Sequence, residues 1–166
     1  MALDMAKYRR IFLEEATDHL GEISHALLSL EKELGGGEAI DTVFRMAHSI
    51  KSMAASLGFD AIADLAHRME DRMEGVRRAG RVRDHVELAL LFRALEALEA
   101  MVAAVADDRD PMPADAALLE ALVALEHSPA ATDATAAATS IGSTASRGSG
   151  LAADTASGAQ PKKARR

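Results

Sequence analysis

At 166 residues with a formal charge of −7, the chain has room for one ordinary domain and a tail. Aromatics are only 3%, Trp is absent, and Ala, Leu and Glu dominate, a helical composition in which nothing reads as a β-hairpin. The absence of cysteine excludes disulfides, thiol nucleophiles and Cys-based metal sites, and it suits a cytoplasmic location.

Asp4, Glu14 and Glu15 interrupt the N-terminus before a secretory signal can develop. The longest apolar run, from Ala100 to Ala106, falls far short of the roughly 20 residues that span a bilayer, so no direct membrane insertion is expected. From Pro129 onward Arg147, Lys162, Lys163, Arg165 and Arg166 face only Asp133 and Asp154, a surplus of three positive charges. Residues 1–128 therefore carry −10, and such a body repels nucleic acid and anionic lipid.

The first helix is predicted from about Asp4 to Leu34. Met5, Tyr8, Phe12, Ala16, Leu20, Ile23, Leu27, Leu30 and Leu34 recur every three or four residues along it. Gly35-Gly36-Gly37 stops it. A second helix begins near Glu38 to Asp41 and ends at Gly58. Asp60 then serves as the expected cap of a third, whose inner face is Ile62, Leu65, Ala66, Met69, Met73 and Val76. Gly75 weakens that helix and Gly80 ends it. Asp84 with Glu87 forms a capping-box pattern that opens a fourth helix, from His85 to about Ala106. Its stripe is Leu88, Leu91, Leu95, Leu98, Met101 and Val105. DDRDPMP breaks the chain before a short fifth helix, about Ala114 to Glu126, carrying Leu118, Leu122 and Leu125. Short turns between long amphipathic helices make antiparallel neighbours. The predicted fold is all-α: an up-down antiparallel four-helix bundle with an additional C-terminal helix.

From Ser128 the composition turns to Ala, Ser, Thr and Gly, which cannot bury enough surface to offset the entropy of ordering. Residues 128–166 read as a flexible, disordered linker or tail, and its terminal PKKARR as a solvated end.

The second helix holds the most informative stretch, VFRMAHSIKSMAASLGF. At about 100° per residue, Ile40, Val43, Phe44, Ala47, Ile50, Ala54 and Leu57 gather on one face, which must be buried. His48 falls about 130° from the centre of that face and looks outward. Arg45, Ser49, Ser52, Ala55 and Ser56 surround it, four of them small, so that another protein can approach the ring closely. Lys51, one turn on, brings a cation beside the imidazole. In the third helix Glu70 lies about 80° from the buried centre, flanking the seam, with His67 on the same strip. A carboxylate there can fix the tautomer of His48 and raise the basicity of its other nitrogen.

His48-Ser49-Ile50-Lys51, Gly58-Phe59, and then His67 and Glu70, resemble the phosphoacceptor motif of histidine-containing phosphotransfer (HPt) domains, most closely the N-terminal phosphoacceptor domain of the CheA family of chemotaxis histidine kinases. The resemblance covers roughly Met5 to Leu125; it departs at Ser52, Met53 and Ala55, where the family commonly has glycine or another small residue. It implies that residues 1–127 form one phosphotransfer domain. By resemblance His48 is the phosphoacceptor, Lys51, His67 and Glu70 are its hydrogen-bonding surround, and the outer face of its helix docks partners.

His19, His25, His85 and His127 read as surface residues, and Glu22 and His25 face away from the bundle interior, so no metal site is expected. No Gly-rich nucleotide loop is present, so the chain reads as a phosphate carrier without a cofactor of its own. The resemblance assigns ATP and Mg to a partner, the CheA-type kinase catalytic domain. It names a CheY-like or CheB-like response-regulator receiver as the recipient. A stand-alone HPt protein is a variant of this reading. A non-catalytic helical adaptor is the alternative from another class, and a di-metal carboxylate enzyme comes third.

Overall fold

The structure, a computed structural model, describes residues 4–124. Leu125 and Glu126 of the predicted fifth helix, the boundary at residue 128 and the predicted linker lie outside the described residues. Five helices follow in order: α1 (Met5–Lys32), α2 (Gly37–Ser56), α3 (Asp60–Ala79), α4 (His85–Ala106) and α5 (Ala116–Ala124). α2 packs between α1 and α3, α4 joins α1 to α3 and closes the ring, and α5 lies against α3 and α4. The all-α bundle with an added helix is as the periodicity predicts.

The predicted stripes meet in one core. Phe12, Ile23, Leu27 and Leu30 from α1 are fully enclosed together with Ile50, Ile62, Leu65, Met69, Met73, Leu91, Leu98 and Leu122. Each such side chain contributes roughly 1.5–3 kcal/mol relative to leaving it in water. Met5 and Tyr8, predicted to continue the α1 stripe inward, are about half exposed instead, at 54% and 46%. The reason is length: α1 has 28 residues against 20 in α2 and in α3, so it is about 12 Å longer. Its first turn runs past the ends of α2 and α3, and Arg9 in the next turn reaches the end of α4, at the Val105 carbonyl and Asp108.

The helix ends carry the remaining differences. α1 stops at Lys32, two residues before the predicted Leu34, because Glu33 turns extended and the Leu34 carbonyl accepts a hydrogen bond from the Val82 N–H, 2.8 Å. Gly58 has φ +76°, and around it the Phe59 N–H bonds the Ala54 carbonyl, 2.9 Å, while the Gly58 N–H bonds that of Ala55. This turn folds the Phe59 ring onto Phe12, with centroids 5.1 Å apart. Asp60, predicted as a cap, is the first residue of α3. Phe59 holds the cap position without a side-chain bond, and the Asp60 carboxylate acts on the first turn through its charge. At α4, by contrast, Asp84 caps as predicted, accepting from the Glu87 N–H at 2.8 Å. The Glu87 carboxylate accepts from the Arg83 N–H, 2.6 Å, and is also ion-paired with Arg72 of α3 in the core.

Candidate functional site

α2 and α3 share the longest seam of the bundle, and the candidate site sits on its outer edge. Ile40, Val43, Ala47, Ile50 and Ala54 are buried, which rotates His48 outward with 56% of its side chain exposed. The same packing of Leu65, Ala66, Met69 and Met73 brings Glu70 to the seam with only 13% exposed. Farther along, Arg77 of α3 bonds the Asp41 carboxylate, 2.8 Å, and lies 4.4 Å over the Phe44 ring.

His48 Nδ1 lies 2.9 Å from Glu70 Oε1, and Lys51 Nζ lies 2.6 Å from Glu70 Oε2. One carboxylate thus serves two partners on α2, three residues apart on one strip. Burial pushes the Glu70 carboxyl up, but the Lys51 ammonium and the His48 ring bonded to it outweigh that and hold it below the usual carboxylate range. Glu70 is therefore ionised at neutral pH and can only accept, so His48 Nδ1 must carry the hydrogen and donate it. Nε2 is left on the solvent side, and in the neutral ring this tautomer places the lone pair there. The site presents an oriented, exposed imidazole whose other nitrogen is held by a carboxylate.

A lowered folded pKa fixes the sign of the pH effect. Glu70 contributes stability that is complete above the pKa of an unfolded glutamate and is lost as pH falls through its lower folded value. A carbon NMR titration should accordingly find the Glu70 carboxyl midpoint below that of glutamate in an unstructured peptide. A midpoint at or above the peptide value would mean that Lys51 and His48 do not hold the charge.

His67 stands elsewhere in the network. Its Nε2 is 3.4 Å from Asp71 Oδ2, one turn on, and among the described residues no hydrogen bond joins it to His48. The i, i+4 spacing of His67 and Asp71 is the signal in the sequence for this pairing. Arg45, Ser52, Ala55 and Ser56 are exposed around His48, and Ser49 is half-buried. The Arg45 guanidinium leans back toward the Asp41 carbonyl, 3.4 Å. Ser52 Oγ donates to the His48 carbonyl, 3.0 Å, and Ser56 Oγ to that of Ser52, 2.8 Å. The serine hydroxyls are tied to their own helix, and the collar they leave is low. Glu22 and His25 are exposed, and among the described residues no three His, Asp or Glu gather in a way that could hold a metal ion.

Comparison with known proteins gives a family and relatives. The family described as Hpt domain matches residues 7–108. Chemotaxis protein CheA of Bacillus subtilis is 33% identical over 108 residues, covering 65% of this chain and 16% of that protein. Chemotaxis protein CheA of Listeria monocytogenes is 39% identical over 93 residues, covering 55% of the chain and 15% of that protein. The same-named protein of Halobacterium salinarum is 32% identical over 96 residues, 58% of the chain and 14% of that protein. The matched stretch thus spans about a seventh of the length of the curated relatives, between 11% and 16%.

Proposed function

We propose, because the chain belongs to the Hpt domain family, that it is a histidine phosphotransfer domain of a chemotaxis-type two-component system in which His48 is the phosphoacceptor. A CheA-type kinase catalytic domain supplies the phosphoryl group from ATP with Mg, and an aspartate of a CheY-like or CheB-like receiver takes it. The observation that carries this reading is the Nδ1–H bond from His48 to Glu70, which leaves Nε2 unencumbered. In the first step an Nε2–P bond forms as the bond from the γ-phosphorus to the bridging oxygen of ATP breaks. Both electrons of the broken bond leave with ADP. The ring proton stays on Nδ1, where the Glu70 carboxylate stabilises the imidazolium, as a buried carboxylate does for a triad histidine. In the second step the Nε2–P bond breaks and a P–O bond to the receiver carboxylate forms, which returns the neutral imidazole. Lys51, ion-paired to Glu70, adds positive charge beside the incoming phosphoryl group. His67 acts at most indirectly, through Asp71 on the same strip. An ATP-driven relay of this kind works in the cytoplasm, and no described helix is long and apolar enough to cross a membrane.

The reading is tested by incubating the domain with a CheA-type kinase and ATP and locating the phosphoryl group by NMR. It is expected on Nε2 of His48. Glu70→Ala should slow labelling by roughly 10- to 100-fold, the usual effect of losing a group that orients a histidine, while leaving the position of attachment unchanged. Attachment at Nδ1, or a wild-type rate without Glu70, would remove Glu70 from the role given to it.

Docking follows from access. Ser52 lies one turn beyond His48 on the exposed strip, and in-line transfer needs the receiver aspartate within about 3–3.5 Å of the phosphorus. Ser52→Phe should leave the buried face and the thermal stability of the domain unchanged and slow transfer to the receiver by about 100-fold, a displacement of order 1 Å sufficing for that. Ser52→Gly should transfer at least as fast as wild type. Stopped-flow transfer from pre-phosphorylated domains measures both, and a wild-type rate for Ser52→Phe would move the docking face off this strip.

A further inference from the structure

We propose that the buried Arg72–Glu87 ion pair is a positioning device for His48: it fixes the axial register of α3 that presents Glu70 to the imidazole. The proposal deepens the phosphotransfer reading and rests on it. Glu70 and Arg72 are two residues apart, so they lie about 3 Å apart along the helix axis and about 200° apart around it. One points to α2, where it meets His48 and Lys51, and the other to α4, where it meets Glu87. α3 is thus held on opposite sides at almost the same height.

The two sides are unequal. The contacts of Glu70 are made at the edge of the seam, with a histidine more than half exposed and a lysine about a quarter exposed, and such pairs hold a helix weakly. The side chains of Arg72 and Glu87 are only 6% and 2% exposed. A slip that parted them would strand charge in the core, so their register is enforced. Glu87 is itself anchored at the start of α4 by the bond its carboxylate accepts from the Arg83 N–H and by the Asp84 cap on its own N–H. Ile62 and Leu65 pack the first half of the α3 face tightly, but next to Arg72 the apolar face is less particular. Met69 and Met73, the enclosed side chains on either side of Arg72, are unbranched and adapt to a shifted neighbour. The required accuracy is high, because a His48–Glu70 separation of 2.9 Å is a hydrogen bond and one of about 3.6 Å is not.

The test replaces the pair by apolar groups of similar reach, Arg72→Met with Glu87→Met, a type of exchange that commonly leaves folding intact. Nitrogen NMR of His48 reads the tautomer without any kinase. In wild type the hydrogen resides on Nδ1; in the folded double variant the population should move toward the Nε2–H form. Phosphorylation should slow roughly tenfold, and adding Glu70→Ala should slow it little further, as for groups acting through one another. Unchanged tautomer populations in a folded double variant overturn the proposal. Should that variant not fold, Arg72→Lys keeps the buried cation without the planar fork. It should shift the His48 spectrum in the same direction by less, and an unshifted spectrum there overturns the proposal equally. Failure of wild type to accept phosphate from any kinase would instead count against the phosphotransfer reading, since the tautomer measurement stands apart from it.

Discussion

His48→Gln should end phosphorylation of this domain and leave it folded. Glutamine offers an amide of similar size but no ring nitrogen with a lone pair free to attack phosphorus. Incubation of wild type with a CheA-type kinase and ATP should give an acid-labile, alkali-stable label, and the variant should give background. Stability should change by no more than about 0.5 kcal/mol, as for an exposed position away from the core, because the His48 side chain is 56% exposed and Lys51 still pairs with Glu70. Labelling by gel autoradiography and a urea titration decide the two halves separately. Retained acid-labile label in a folded His48→Gln protein would assign the phosphoacceptor to another histidine.

Glu87→Ala should be the most damaging single substitution among the charged residues of the bundle. It takes away the carboxylate paired with the buried Arg72 guanidinium and the acceptor of the Arg83 N–H at the start of α4. Removing one member of a buried pair costs about 3–5 kcal/mol, because the other charge stays desolvated. Against a total stability on the order of 5–15 kcal/mol, that is a large fraction. The melting temperature should fall by on the order of 10–20 °C. Asp84→Ala, which loses only a helix cap, should cost about 1 kcal/mol. Denaturation followed by circular dichroism compares them, and equal, small losses for both would show that the pair contributes no more than the cap.

The bundle and the surroundings of His48 were legible in the sequence because both are written in helical periodicity. Spacing alone turns His48 outward, sets Lys51 one turn away and brings Glu70 to the edge of the α3 face. What periodicity does not carry is the length of the facing helix. Met5 and Tyr8 keep the apolar rhythm of α1 and are exposed because α2 and α3 are shorter. Nor does it carry partners that come from a different helix. Nothing in the spacing singles out Arg72, whose partner Glu87 lies fifteen positions away on α4, and Glu87 reads only as a capping residue. For His67 the competing partner was local: Asp71 on its own helix holds the ring more directly than anything on α2. Asp60 was displaced by one position for a similar reason, the Gly58 turn having already set where α3 begins.

The inward-turned serine hydroxyls bear on how long a phosphorylated state of this domain would last. Sites built to retain phosphate surround it with N–H and O–H donors. Here the hydroxyls of Ser52 and Ser56 already donate to carbonyls of α2, and the Lys51 ammonium is engaged with Glu70. A phosphoryl group on Nε2 of His48 would face water with the Lys51 charge nearby but with the Ser52 and Ser56 hydroxyls already committed to the helix. Its group-transfer potential should then stay close to that of an unassisted phosphoimidazole, which would suit a courier that hands its cargo on without becoming a sink for it.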